Sequence, residues 1–96
     1  MSVAQNIDGS KATIVVDGWL DTQSAPELAE VLNGLPDGVE ELTLDFSDLE
    51  YISSAGVRLI VSAYKKMGGK LVICNASAEV IDVLTMTGVA KRITII

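Results

Sequence analysis

Apolar and polar positions switch between two periods along this chain, and each switch marks an element. Val3 to Ile7 lead into the tight-turn dipeptide Asp8-Gly9, and the β-branched run Ala12-Thr13-Ile14-Val15-Val16 follows it, so the opening predicts a hairpin. Past Gly18 and Trp19-Leu20-Asp21, the run Ser24-Ala25-Pro26-Glu27 offers a capping serine, a first-turn proline and a glutamate at the third position. The helix it predicts has Ala25, Leu28, Val31, Leu32 and Leu35 at helical spacing and ends at Gly34, Pro36 and Gly38. Leu42, Leu44 and Phe46 then alternate with Thr43 and Asp45, the period of a strand.

Ser47 to Ile52 predicts a loop, and the helix after it places Gly56, Leu59, Ile60, Ala63 and Met67 on one stripe, with Arg58, Ser62 and Lys65 away from it. Gly68-Gly69 stops that helix. Lys70 to Cys74 predicts a strand, central in its sheet because the apolar run is unbroken. Asn75-Ala76-Ser77 reads as a turn with a capping serine. Val80, Ile81, Val83 and Leu84 form the inner face of a third helix, Gly88 closes it, and Ile93 to Ile96 supply a last strand. Such alternation implies right-handed crossovers. The expected fold is an α/β domain with a four- to five-stranded mixed, mostly parallel sheet, three principal helices and an N-terminal strand added antiparallel. Residues 1–96 read as a single domain without repeat or linker.

Composition narrows the function. Hydrophobic residues make up 49% and aromatics only 4%, a core of Val, Ile, Leu and Ala suited to a sheet covered by helices. No apolar run approaches the roughly 20 residues of a membrane span, and no cationic segment followed by an apolar run opens the chain, so a cytoplasmic protein with no direct membrane insertion is expected. Thirteen acidic against seven basic side chains give a formal charge of −6, which sets the chain against nucleic acid as a partner. The chain has no histidine, so the commonest general base, the commonest metal ligand and the ordinary serine triad are absent. Cys74, the single cysteine, reads as a small buried residue of its strand.

Ligands and partners of open parallel sheets meet the loops beyond the carboxyl ends of the strands, here Asp17 to Gln23, Asp45 to Ser54 and Asn75 to Ser77. The middle loop is the richest, with Asp45, Ser47, Asp48, Ser53 and Ser54 just before a helix. Unpaired N–H groups and partial positive charge at a helix start would stabilise a phosphate on Ser54. The competing role for Ser53 and Ser54 is helix capping, which accounts for one serine more comfortably than for two. Asp45 and Asp48 read as loop-solvating or turn-capping residues; with no third acid and lysine, no metal site, cofactor site or catalytic constellation is expected. Trp19 is the only tryptophan, and core filling and a partly exposed interface role both fit it. Ile52-Ser53-Ser54-Ala55-Gly56 lacks the leading glycine of a nucleophile elbow, and Met67-Gly68-Gly69-Lys70 ends a helix where a phosphate-binding loop would begin one.

Three stretches carry a resemblance: Gly18-Trp19-Leu20-Asp21, then Asp45-Phe46-Ser47-Asp48-Leu49-Glu50-Tyr51-Ile52-Ser53-Ser54-Ala55-Gly56, and Gly69-Lys70-Leu71-Val72-Ile73-Cys74-Asn75. In this order the chain resembles the STAS domain family, in particular the small bacterial anti-sigma factor antagonists, and the middle stretch is the specific one. The resemblance implies a protein-binding switch with no catalysis of its own, which sequesters an anti-sigma factor until a loop serine is phosphorylated. It implies two partners: that anti-sigma factor, which is itself the serine kinase, and a serine phosphatase. The phospho-acceptor falls on Ser54, with Ser53 as the alternative, and Trp19, Asp21, Asp48, Ser53, Ser54 and Arg58 are the expected partner-binding residues. Where many phosphorylated members have aspartate before the acceptor, this chain has Ser53. Members often carry a further helix after the last strand, where this sequence shows none, so part of an interface or of the sheet's cover is expected to be missing or supplied by a partner. A constitutive accessory STAS subunit of a transporter or other signalling complex, without phosphorylation, is the alternative function. A phosphotransfer receiver built on Asp45 and Asp48 is disfavoured by the short chain and the lack of a suitably placed lysine.

Overall fold

The computed structural model describes residues 1–96, in which every predicted element is present and two unpredicted ones appear. Strand β1 (Ser2–Asp8) pairs antiparallel with β2 (Lys11–Leu20) around Gly9, whose φ of 63° is the positive value that a two-residue hairpin turn needs. Helix α1 (Ala25–Asn33) leads to β3 (Glu41–Asp45), a short β4 (Leu49–Ile52) and helix α2 (Ser54–Lys66). Strand β5 (Leu71–Cys74), helix α3 (Ala78–Met86), a 3-10 turn at Val89–Lys91 and strand β6 (Thr94–Ile95) complete the chain. Gly68 and Gly69 both have positive φ, which ends α2.

The sheet runs β1-β2-β3-β5-β6, antiparallel only at β1, and β4 joins it off that path by pairing parallel with the end of β2. The mixed, mostly parallel sheet with three helices is therefore as expected, with β4 added to the five strands of the main path. The order advances one strand after each helix. Right-handed crossovers taken in one direction leave all their helices on one face. Accordingly Ala12, Ile14, Val16, Leu42, Leu44, Leu71 and Ile73 of the sheet share one core cluster with Leu28 and Leu32 of α1, Val57, Ile60 and Ala63 of α2, and Val80 and Leu84 of α3.

Strand β5 lies inside the sheet, between β3 and β6, as expected, and one-sided cover corrects the expectation made for Cys74. The unbroken apolar run of β5 does not mean burial on both sides: Leu71 and Ile73 are buried, but Val72 and Cys74 are half-exposed on the open face. Cys74 is thus not a buried core residue, and the partial burial it has pushes its thiol pKa up, with the Asp45 carboxylate adding to the rise. The last strand shrinks to Thr94–Ile95 because the chain first makes the 3-10 turn and buries Val89 and Ile93. The stripe of α2 also gains Val57, buried beside Gly56, Ile60 and Ala63, while Leu59 and Met67 pack at its margin.

Candidate functional site

At the carboxyl ends of the strands, two of the three expected loops are partly strand. Strand β2 continues through Asp17 to Leu20, and the loop from Ser47 folds into β4 between Leu49 and Ile52. Gly18 makes this possible. Strand β2 pairs with β3 only as far as Val15; Gly18 follows with a φ of 82°, its N–H donates to the Asp48 carbonyl at 3.0 Å, and the pairing with β4 shifts register between Gly18 and Trp19. Trp19 then lies opposite Tyr51, with ring centroids 5.1 Å apart and planes tilted by 41°. The indole Nε1 donates to Glu50 Oε2 at 3.2 Å. Trp19 is 56% exposed, which decides between the two roles open to it: it is a surface residue and not core filler.

Asp21 ties the next segment down. Its Oδ1 accepts from the backbone N–H groups of Gln23 and Ser24, each at 3.0 Å, and these bonds, that of Ser24 foremost, hold its pKa below the ordinary carboxylate range. The expected capping role of Ser24 is corrected accordingly: its backbone is already helical and its side chain caps nothing. Its hydroxyl donates to the Trp19 carbonyl at 2.6 Å and accepts from Asp21 N–H at 2.9 Å, and so holds the turn that follows Trp19 in place.

The start of α2 separates the two serines. Ser53 is the cap: it has extended backbone, its N–H donates to the Leu20 carbonyl at 2.9 Å, and its Oγ accepts from Gly56 N–H at 3.5 Å. Ser54 is the first helical residue, exposed, and its hydroxyl makes no hydrogen bond within the chain. Gly56 lets the helix seat this close. A Cβ there would lie 2.8 Å from Leu20 Cγ and 2.9 Å from Ile52 Cγ1, both of them buried side chains. Arg58, one turn after Ser54 on the same helix face, is exposed and forms no ion pair.

Asp45 is a turn residue. Its Oδ1 accepts from Ser47 N–H at 2.9 Å, the main cause of its lowered pKa, and from Asn75 Nδ2 at 3.4 Å. Asp48 is exposed and lines an open hollow of about 700 Å³ with Asp17, Glu50, Ser77 and Glu79. On the other flank of the ring pair, Trp19, Asp21, Tyr51 and Ser53 share a hollow of about 460 Å³. Of the six residues expected to bind a partner, Trp19, Asp21 and Ser53 thus meet in one hollow, Ser54 and Arg58 follow on the adjoining helix, and Asp48 lies on the neighbouring hollow. Tyr51 and Glu50 belong to the same surface and were not singled out by sequence; their signal was the β-forming Tyr51-Ile52 pair beside a glutamate, inside a segment too short to show a period.

The family model for the STAS domain matches residues 2–96. The chain belongs to the STAS domain family. An anti-sigma-B factor antagonist of Bacillus subtilis (strain 168) is 32% identical over 98 residues, which cover 99% of this chain and 88% of the relative. Among solved structures, an anti-sigma factor antagonist from Mycobacterium paratuberculosis superposes with a TM-score of 0.88 at 20% identity, over 98% of this chain and 83% of that one. The unphosphorylated form of the anti-sigma factor antagonist SpoIIAA superposes with a TM-score of 0.84 at 17% identity, over 99% and 88%. These structural likenesses speak to the STAS fold, whose sheet and three helices this chain shares.

Proposed function

We infer that this protein is an anti-sigma factor antagonist: a binding module of the bacterial cytoplasm that sequesters an anti-sigma factor and is switched off by phosphorylation of Ser54. The observation that carries the switch is the division of labour at the start of α2. Ser53 does the capping, so the exposed Ser54 hydroxyl has no structural task and is free to be modified. The fold tolerates the modification. Phosphoserine adds about −1.5 to −2 charges at neutral pH, and at the first position of a helix it meets unpaired N–H groups and the positive end of the dipole. No acidic residue occupies the first turn of α2 to compete for them.

The partner sees the opposite effect. The added charge enters a surface that already carries Asp48 and Glu50, on a chain of net charge −6, so a partner seated there loses electrostatic and steric complementarity while the domain stays folded. The anti-sigma factor acts as the serine kinase and a separate phosphatase restores the bare serine. The protein catalyses nothing itself. No helix is long and apolar enough to cross a membrane, and the acidic surface offers nucleic acid no purchase.

The test is incubation with the kinase-type anti-sigma factor of the same organism and ATP, followed by mapping of the phosphate by mass spectrometry. Label on Ser54 is expected. Label on Ser53 moves the acceptor by one residue. The second reading, a constitutive accessory subunit, is favoured by Ser53 standing where many phosphorylated members have aspartate. It takes over if neither serine is labelled and the partner binds regardless.

A further inference from the structure

Trp19 and Tyr51 present an aromatic surface at 56% and 43% exposure, set among mostly acidic side chains, with the amino terminus acting on Asp17 and Arg58 on the adjoining helix as the cations nearby. Between residues 12 and 57 the chain has ten acidic side chains and no lysine or arginine, whereas six of its seven basic residues lie from Arg58 onward. The topology turns this sequence polarity into a surface. Strands β2 and β4 are paired through Gly18–Leu49 and Trp19–Tyr51, so the aromatic rings rise from the acidic stretch. Asp17, Asp48, Glu50 and Glu79 line the hollow on one flank, and Asp21 lines the hollow on the other. Glu50 joins the two features. Its Oε2 holds the Trp19 indole at 3.2 Å, its Oε1 has no partner in the chain, and the only ion pair of the molecule, Lys11 with Glu41, lies elsewhere.

An exposed indole beside Glu50, a carboxylate with one free oxygen and no ion-pair partner, has a specific chemical complement. A planar guanidinium stacks on aromatic faces and offers a carboxylate a fork of N–H donors, whereas an ammonium offers a point charge that holds its water more tightly. A nucleic-acid base would also stack, but its phosphates would be repelled. The geometry points to a partner segment that lays an arginine on the Trp19–Tyr51 rings and pairs it with Glu50. This rests on the protein-binding reading above and names the chemistry of the partner at that surface. Because the hollow of Trp19 and Tyr51 also includes Ser53, the bound arginine sits next to the residue before the phospho-acceptor.

The experiment selects short random peptides, displayed on phage, against the immobilised full chain, and then titrates the enriched peptide with the fluorescence of Trp19, the sole tryptophan, as readout. Enriched sequences are expected to contain arginine. Replacing that arginine by its neutral isostere citrulline should weaken binding about tenfold, the order given by one cation–π contact with one exposed ion pair. Glu50→Gln and Tyr51→Ala should each weaken the arginine peptide severalfold, and Glu50→Gln should leave the citrulline peptide unchanged. Enrichment without arginine, equal binding of the citrulline peptide, or indifference to both substitutions overturns the proposal. Such a failure leaves phosphorylation of Ser54 untouched, and an unlabelled Ser54 likewise leaves the arginine result standing, so the two readings fail separately.

Discussion

Helices α2 and α3 begin in the same way and differ in what they leave over. Each follows a parallel strand, and each is capped by a serine with extended backbone whose Oγ accepts from the N–H three residues on, Ser53 from Gly56 and Ser77 from Val80. After the cap, α3 continues Ala78-Glu79-Val80: an inert methyl, an acid that meets the helix dipole, and a buried apolar residue. Helix α2 continues Ser54-Ala55-Gly56: a second hydroxyl in the open, no acid in the first turn, and a glycine pressed against Leu20 and Ile52. The first is a helix start that is complete. The second has a positive end without a counter-charge, a spare hydroxyl beside it and an exposed aromatic pair next door, which is what a phosphate-controlled contact surface requires.

The largest expected effect on stability is at Gly56. Gly56→Ala drives a methyl into Leu20 and Ile52, an overpacking cost of about 1–3 kcal/mol, and alanine's better helix propensity returns at most about 1 kcal/mol. Chemical denaturation should show net destabilisation, and a stabilised variant would mean that α2 is not held as close as described. Next is Trp19. Trp19→Ala should weaken partner binding by more than about 1 kcal/mol and cost no more than about 1.5 kcal/mol of stability, the size of the lost ring pair with Tyr51, because the ring is more than half exposed. Calorimetric titration and thermal melts on the same samples separate the two.

The caps themselves give a smaller contrast. Ser77→Ala should cost about 1 kcal/mol, and Ser53→Ala less, because its bond is 3.5 Å against 3.2 Å at Ser77. The smallest effect is with pH. Asp17, Asp21 and Asp45 are held below the ordinary carboxylate range by hydrogen bonds from Ser2, Ser24 and Ser47 respectively. A lowered folded value means that these bonds stabilise the fold above the ordinary range and that the contribution is lost as pH falls through the lowered values. Stability should therefore hold from neutral pH down to the ordinary carboxylate range and decline below it. Asp21→Asn and Asp45→Asn should each flatten that decline, as followed by melting temperature against pH.

Much of the fold was legible because its signals are local. The two-residue turn at Gly9, the helical spacing of Leu28 and Leu32, the alternation of Leu42, Leu44 and Phe46, and the Gly68-Gly69 stop all act within a few residues. What sequence missed depends on distant pairing. Leu49 to Ile52 has no period of its own and becomes a strand because the end of β2, from Gly18 on, offers it a ladder. The open side of β5 follows from strand order, which an apolar run such as Leu71 to Cys74 does not encode. At the site, Ser54 stood out by residue type and position, but which serine caps was decided by backbone geometry, and the exposure of Trp19 by its pairing with Tyr51. Asp21 displaced Ser24 as the side chain that orders the start of α1 because its carboxylate reaches two N–H groups at once.

On the function proposed above, charge at Ser54, and not at a helix start in general, controls the partner. The direct measurement is anti-sigma factor affinity for the wild type, Ser54→Ala, Ser54→Asp and Ser53→Ala, with Ala78→Asp as the matched charge at the first position of α3. Ser54→Ala and Ser53→Ala should bind like the unmodified protein. Ser54→Asp should fold normally and lose several kcal/mol of binding, the size of a mismatched charge at an interface, while Ala78→Asp binds undiminished. Normal binding by Ser54→Asp, or an equal loss from Ala78→Asp, would mean that charge at Ser54 is not what controls the partner.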